Sequence, residues 1–274
     1  MNFLAHMAAL SAERVREARA RRGEAELLDA CRLAPAPPPL RLERFDLVAE
    51  IKRSSPAEGA LEADTDVATR AVGYGAAGAA AVSVLTEPAR FGGSLADLGA
   101  AACALYPRGV PAMRKDFLVA PWQVLEARAA GAGGVLLIVA MLADAALAEL
   151  LAAAREQGLF VLLEAFDEAD LERAAPWLGA APGAPPVLVG VNSRDLRTLA
   201  VDPGRLARLA PRLPPGVPAV AESGLHTAAD AAAAAALGYR LALVGTALMR
   251  AANPEQLAAA MIAAGREAVM EEAG

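Results

Sequence analysis

The amino-acid sequence predicts an α/β protein, a single (β/α)8 TIM barrel with an extra N-terminal helical segment. Eight short runs of β-branched and aliphatic residues begin about 24 to 33 residues apart, which is the spacing of a βα unit. Between them lie stretches rich in Ala, Leu, Arg and Glu with helical periodicity. Nearly continuous apolar strands are typical of a parallel sheet covered on both faces. A length of 274 residues suits one barrel.

The eight apolar runs are the predicted barrel strands, and a helical stretch follows each of them. Several helical stretches end at a glycine just before the next strand, as at Gly131, Gly158 and Gly238, which suits a helix C-terminus. We therefore place strands at 47–52, 80–85, 110–114, 134–139, 159–164, 187–191, 217–222 and 241–245.

The N-terminal residues 1–46 precede the predicted barrel domain, 47–270. A charged helical pattern covers about 7–31, followed by the stiff segment PAPPPL at 35–40. The pattern fits either a helical extension packed on the barrel or a linker. A second Pro/Gly-rich stretch, 178–186, falls between the fifth helix and the sixth strand. We expect it at the N-terminal face, away from the face where barrel active sites form.

Composition and charge narrow the range of functions. The net charge of −6 provides no basic field for nucleic acid or an anionic membrane. Cys31 and Cys103 form no disulfide framework or zinc pattern, which fits a reducing cytoplasm. His6 and His226 make no ligand pair, so acid/base chemistry falls to Lys, Glu or Asp. The opening segment lacks the basic start of a signal peptide, and the apolar runs are too short for a membrane span.

Charged and polar residues stand where the predicted strands end. In the first strand, Val48, Glu50 and Lys52 point to one face, so the two charges are directed into the barrel mouth. Rim salt bridges would explain any one of these positions. Several together indicate a site, because burying an ion costs several kcal/mol and a purely structural barrel could use Leu or Val. The other strand-end polar residues are Lys115, Glu164, Asn192, Glu222 and Ser223.

Glycine turns follow the last two strands. Gly224 and Gly245 let backbone N–H groups approach a ligand, and Thr246 adds a hydroxyl. Free N–H groups at helix N-termini bind phosphate, and barrels often hold phosphate after strands seven and eight. The two turns together therefore predict a phosphate site.

Several segments resemble the indole-3-glycerol phosphate synthase family of tryptophan biosynthesis. The matching segments are AEIKRSSP at 49–56, SVLTEPARFGGS at 83–94, 113–139, GVNSRDLRTLAVD at 190–202, and AESGL with LVGTALMR in the last third. The resemblance covers about residues 45 to 265, and the second segment with RKDF is its most specific part. It implies cyclisation of 1-(2-carboxyphenylamino)-1-deoxyribulose 5-phosphate, with loss of carbon dioxide and water, to indole-3-glycerol phosphate. It implies no cofactor and no metal.

The resemblance also implies roles for individual residues. Lys115 would be the general acid that protonates the ribulose carbonyl and later assists loss of the hydroxyl, with Glu164 as the general base. Glu50 and Asn192 would hold polarised groups and assist proton movement. Lys52, also counted as catalytic, would pair with substrate anions, above all the phosphate. The remaining substrate- and phosphate-binding residues are Ser55, Arg194, Glu222, Ser223, Gly224, Gly245 and Thr246, and the ring-enclosing residues are Phe91, Phe117, Leu136 and Leu196.

Two other functions stay open from the sequence alone. Phosphoribosylanthranilate isomerase is a related phosphate-binding barrel, but its acid/base pair would need a Cys near the end of strand one. A catalytically silent barrel that binds a phosphorylated metabolite or a partner protein would not need the acid/base set. We expect a cytoplasmic protein whose partner is a small phosphorylated molecule, with no nucleic acid and no membrane. We expect a monomer, with a weak homodimer as the alternative.

Overall fold

Eight parallel strands pair in chain order, and the first strand pairs with both the second and the eighth, which closes the barrel. The computed structural model describes residues 2–55, 59–60, 66–179 and 183–272. The predicted (β/α)8 barrel is confirmed, and strand bounds differ from the predicted ones by at most two residues. The strands are β1 Asp46–Ile51, β2 Ala81–Leu85, β3 Ala112–Lys115, β4 Gly134–Ile138, β5 Phe160–Ala165, β6 Val187–Asn192, β7 Ala219–Glu222 and β8 Leu241–Val244.

Helices surround the barrel and bury the outward faces of its strands. Leu47, Ala49 and Ile51 pack in this outer core, whereas Val48 packs in the barrel interior, as the alternation predicted. None of the helices in the described ranges is long and apolar enough to cross a lipid bilayer. The helices are α1 Phe3–Arg21, α2 Glu24–Leu33, α3 Val67–Ala76, α4 Pro88–Phe91, α5 Leu95–Leu105, α6 Pro121–Ala129, α7 Asp144–Glu156, α8 Glu168–Ala174, α9 Arg205–Leu209, α10 Ala228–Ala236, α11 Thr246–Arg250 and α12 Pro254–Glu272.

Short elements fill the connections between these helices and strands. Three-residue 3-10 turns extend α5, β4, α8 and α9. The two-residue strands Ser54–Ser55 and Gly59–Ala60 pair antiparallel after β1. Gly179 bridges Val187 at the amino end of β6, so this end of the second Pro/Gly-rich stretch lies on the face opposite the site, as expected. Residues 180–182 of that stretch lie outside the described residues.

The glycines predicted to end helices do so with left-handed backbone. Gly131, Gly158 and Gly238 have φ of +86°, +71° and +89°. A residue with a Cβ adopts this conformation only at a cost, which is why glycine is favoured directly after a helix C-terminus.

The N-terminal extension forms two helices where the sequence pattern suggested a single stretch over about 7–31. The chain is extended at Arg22 and Gly23, and glycine is a poor helix former, so α1 ends there and α2 begins. The break lets Val15 of α1 and Leu27 of α2 pack on one side of α6 around Trp122. The extension is thereby packed on the barrel. The division of the chain into 1–46 and 47–270 stays a prediction.

Candidate active site

A cavity of about 280 Å³ opens at the carboxyl ends of the strands. This is the face where barrel enzymes carry their sites, and the walls are more apolar than polar, as in small-molecule sites. The predicted Ser55 contact falls on a side chain outside the described part of the structure. Every other predicted site residue lines the cavity: Glu50, Lys52, Phe91, Lys115, Phe117, Leu136, Glu164, Asn192, Arg194, Leu196, Glu222, Ser223, Gly224, Gly245 and Thr246.

Lys115, at the end of β3, lies between two carboxyl groups. Its Nζ donates hydrogen bonds to Glu164 Oε2 at 3.1 Å and to Glu222 Oε2 at 3.3 Å. Burial by itself would lower the pKa of Lys115, but Glu164, Glu222 and then Glu50 outweigh it and raise the pKa above its ordinary value. The three carboxylates therefore favour the charged ammonium form of Lys115.

Glu164 and Glu222 are both buried, with exposed fractions of 0% and 1%. Within the described part of the chain, the Oε1 atom of each accepts no hydrogen bond. Burial raises the pKa of Glu222 well above its ordinary value, the charge of Lys115 opposes the rise, and the neighbouring Glu164 adds to it. The sequence grouped Glu222 with the substrate- and phosphate-binding residues; in the structure its carboxyl shares Lys115 with Glu164, and its role stays a prediction.

Glu50 and Lys52 form an ion pair at the end of β1. Lys52 Nζ lies 3.1 Å from Glu50 Oε1, and both side chains are largely buried. Burial raises the pKa of Glu50, but Lys52 and Lys115 more than offset this and lower it overall. Lys52 thus keeps the buried Glu50 carboxylate ionised.

Two glycines make room for the carboxyls. A Cβ at Gly245 would overlap the carboxyl of Glu50, and a Cβ at Gly190 would overlap that of Glu222. Gly245 has φ of −123°, so it is not needed for a left-handed turn. Gly245 thus leaves room for the Glu50 carboxyl. The close backbone approach to a ligand expected at Gly245 stays a prediction.

The turns after β7 and β8 form the predicted phosphate end of the cavity. Ser223 and Gly224 have φ of +64° and +78°. A positive φ is uncommon outside glycine and is found at functional turns. Thr246 begins α11, and the backbone N of Arg194 donates to Asn192 Oδ1 at 2.9 Å.

Sequence reasoning missed His226, which lines the same part of the cavity. It considered the histidines only as metal ligands or members of a triad. The signal that could have identified His226 is its position two residues after the Gly224 turn.

The opposite wall of the cavity is apolar. The rings of Phe91 and Phe117 have centroids 6.3 Å apart, and Phe3 of α1 contacts Phe117 edge to face at 6.0 Å. Leu136 and Leu196 complete the predicted ring pocket. Such walls suit a flat aromatic group. Lining residues that the sequence did not single out are Leu85, Asp116, Ile138, Leu199, Val201, Leu225, Leu243 and Val244.

Salt bridges hold the loop that carries Leu196. Arg197 Nη2 contacts Asp195 at 2.7 Å and Asp167 at 2.9 Å, and its guanidinium stacks on Phe166. Hydrogen bonds from Arg197 lower the pKa of Asp195, so the pair stays charged. The loop after β6 is thereby fixed against the loop after β5.

Comparison with known proteins decides among the barrel families. The family model described as indole-3-glycerol phosphate synthase matches residues 5–261. The chain belongs to the indole-3-glycerol phosphate synthase family. An indole-3-glycerol phosphate synthase of Parafrankia sp. is 49% identical over 226 residues, 82% of this chain and 81% of that protein. One of Micrococcus luteus is 46% identical over 250 residues, 88% of this chain and 90% of that protein.

The fold is also similar to that of more distant proteins. A crystal structure of tryptophan synthase from M. tuberculosis has a TM-score of 0.59 and 18% identity, and the match covers 88% of this chain and 97% of that one. At this identity the similarity concerns the barrel fold alone. The resemblance to the indole-3-glycerol phosphate synthase family predicted from the sequence is confirmed.

The cavity differs from the rest of the chain in its use of lysine. Of the 26 basic Lys and Arg residues, only Lys52 and Lys115 are lysines, and both line the cavity. Arginine is planar and effectively always charged, whereas lysine is a compact point charge that can exchange its proton. The cavity thus holds both side chains of the chain that combine a compact positive charge with an exchangeable proton.

Proposed function

We propose that the protein is an indole-3-glycerol phosphate synthase. It closes the second ring of 1-(2-carboxyphenylamino)-1-deoxyribulose 5-phosphate and releases carbon dioxide and water. The observation that carries this proposal is the Lys115 ammonium held between two buried carboxyls. The cluster lies between an apolar wall and a turn suited to phosphate, and the substrate has a benzoate ring at one end and a phosphate at the other.

Lys115 is the proposed acid for carbon–carbon bond formation. The ring carbon that bears the carboxylate attacks the ribulose carbonyl carbon, and the carbonyl oxygen takes a proton from Nζ. Carbon dioxide then leaves, and the electron pair of the broken bond restores the aromatic ring. A charged donor aimed at the developing alkoxide stabilises the transition state and so lowers the activation barrier. The raised pKa of Lys115 ensures that this proton is present.

Glu164 is the proposed base for the dehydration that follows. Lys115 first regains a proton from the solvent. The hydroxyl then leaves as water with that proton, while a proton passes from the adjacent carbon to Glu164, so that the indole double bond forms. Glu222 is less suited to this task because burial raises its pKa and so favours its protonated form. Its place beside Lys115 suits it to holding the lysine in position.

The remaining residues are proposed to bind and orient the substrate. Phe91 and Phe117 enclose the ring, with Leu136 and Leu196 completing the pocket. The phosphate is proposed to bind at the turns after β7 and β8 together with Lys52 and Arg194. Glu50 and Asn192 are proposed to hold the polarised groups between the two ends. Orientation of this kind lowers the activation barrier by bringing the reacting carbons together.

The isomerase alternative would need a cysteine in the cavity. Cys31 lies on α2, with its thiol against Leu125 O at 3.2 Å, and Cys103 is exposed on α5. Neither lines the cavity. The positions of the cysteines therefore favour the synthase.

The test is turnover of the carboxyphenylamino-deoxyribulose phosphate, followed by indole fluorescence. We expect product from the wild type and a loss of about 10²- to 10⁴-fold in Lys115→Ala and in Glu164→Gln. Glu149→Gln, an exposed carboxylate on α7, is the matched control and should keep full activity. A wild type that binds the substrate without making an indole product would instead establish the silent barrel.

A further inference from the structure

We propose that Arg14, on helix α1 of the N-terminal extension, is a positioning residue for the ring pocket. It would fix the distance between the two aromatic walls, the segments that carry Phe91 and Phe117. This role rests on the proposed function, because it concerns how the same cavity holds the aromatic end of its substrate.

The guanidinium of Arg14 joins two buried carboxylates from different loops. Its Nη2 donates to Asp116 Oδ1 at 2.6 Å, and its Nη1 to Glu87 Oε1 at 3.3 Å. The carboxylate side chains are 1% and 0% exposed, while that of Arg14 is 26% exposed. A planar fork of donors suits two carboxylates at once, which a lysine ammonium does less well.

Asp116 follows Lys115 directly and precedes the ring-pocket residue Phe117. Its Oδ1 accepts from the backbone N of Phe117 at 2.8 Å, and its Oδ2 accepts from Thr86 Oγ1 at 2.9 Å and Arg114 Nη2 at 3.1 Å. The carboxylate of Asp116 thus organises the end of β3. Arg14 is its only contact from outside the β2 and β3 segments among the hydrogen bonds of the described residues.

Glu87 organises the other wall, the segment that carries Phe91. Its carboxylate caps α4 by accepting from the backbone N of Ala89 at 2.9 Å, Arg90 at 2.7 Å and Phe91 at 3.3 Å. Phe91 is the last residue of α4 and faces the cavity. One guanidinium therefore ties together two segments, and each of them supplies one ring to the pocket.

Helix α1 is itself fixed at this place, so Arg14 has a firm base. Ser11 Oγ donates to Phe117 O at 2.5 Å and accepts from Gln123 Nε2 at 2.8 Å. Leu4 and Met7 pack in the same interior cluster as Phe117. The extension thereby contacts the back of the ring pocket. Among the hydrogen bonds of the described residues, Arg14 makes none with the turns after β7 and β8.

These contacts predict a selective effect of Arg14→Gln. Loss of the tie lets the two walls shift, and small displacements in an active site cost up to about 100-fold, so we expect kcat/KM to fall by about 10- to 100-fold, mainly through KM. Inorganic phosphate as a competitive inhibitor probes only the other end of the cavity. Its inhibition constant should therefore stay within about twofold of the wild-type value. A general distortion of the barrel would weaken both.

Arg266→Gln is the matched control. Arg266 of α12 pairs with the buried Asp46 at 2.9 Å and with Glu43 at 2.8 Å, at the amino end of β1 and so on the opposite face of the barrel. Both variants lose an arginine that contacts a buried carboxylate, so both should lower thermal stability. Only Arg14→Gln should raise KM.

The outcomes separate this role from the proposed function. No indole product from the wild type would refute the synthase proposal itself. An active wild type with equal kcat/KM in the Arg14→Gln and Arg266→Gln variants would overturn the positioning role, as would phosphate inhibition weakened in parallel with KM. If Arg14→Gln does not fold, Arg14→Lys replaces it: one ammonium serves one carboxylate, so KM should still rise, and an unchanged KM would overturn the role.

Discussion

Replacement of Lys115 by Met removes the charge that two buried carboxyls share. Its Nζ lies 3.1 Å from Glu164 and 3.3 Å from Glu222, and both carboxyls are buried. Removing one partner of a buried pair typically costs about 3 to 5 kcal/mol of the free energy of unfolding. We therefore expect Lys115→Met to be less stable than the wild type at neutral pH.

The stability lost in Lys115→Met should depend on pH, and the pKa of Glu222 determines whether this loss grows or shrinks as pH rises. Its pKa is already raised by burial and is held down by Lys115, so loss of Lys115 raises it further. A carboxyl whose pKa is higher in the folded than in the unfolded state binds its proton more tightly when folded. Its contribution to stability is then present below the unfolded value of about 4.3 and is lost as pH rises through the folded value. The stability difference between wild type and variant should widen by up to about 1.4 kcal/mol per pH unit between the folded pKa of Glu222 in the wild type and its higher folded pKa in the variant.

The measurement is urea unfolding of both proteins at several values between about pH 5 and 8. Lys115→Arg is the control: it keeps the positive charge, so its stability should follow the wild-type pH dependence, while turnover should still be lost because arginine does not release a proton. Parallel stability curves for Lys115→Met and the wild type would refute the shared-charge account of the cluster.

Two further predictions concern steric room and thiol exposure. Gly245→Ala places a methyl group on the Glu50 carboxyl, so we expect lower turnover and lower thermal stability. Gly23→Ala is the control, because the added Cβ has no described atom within 4 Å, and it should leave turnover unchanged. Equal turnover in both variants would contradict the steric account. Cys31 is buried, and burial raises the pKa of its thiol, whereas Cys103 is exposed. A thiol reagent should therefore label Cys103 quickly and Cys31 only on unfolding. Fast labelling of Cys31 in the Cys103→Ser variant would contradict the packing of α2.

Some of the site could be predicted because strands and helices leave local marks. The alternation in β1 placed Glu50 and Lys52 on the cavity face, and the strand ends located Lys115 and Glu164. The family-specific segments then suggested the reaction, and the family match is confirmed. The roles of the individual residues stay predictions that the variants above would test.

Other parts of the site could not be read from the chain because they depend on distant residues. The Arg14 contacts join positions 73 and 102 residues apart, and no local pattern marks such a pair. The room that Gly245 leaves for Glu50 likewise exists only once β8 lies beside β1.

The sequence by itself determined the barrel, the order of its strands and the residues that face its mouth, because periodicity and the charges at strand ends are properties of neighbouring residues. Only the tertiary structure decided how those residues interact. Barrel closure brings β3, β5 and β7 to one point, so that Lys115 lies between Glu164 and Glu222. The protonation of a buried group depends on the charges and the solvent around it, and these are fixed only when the chain has folded.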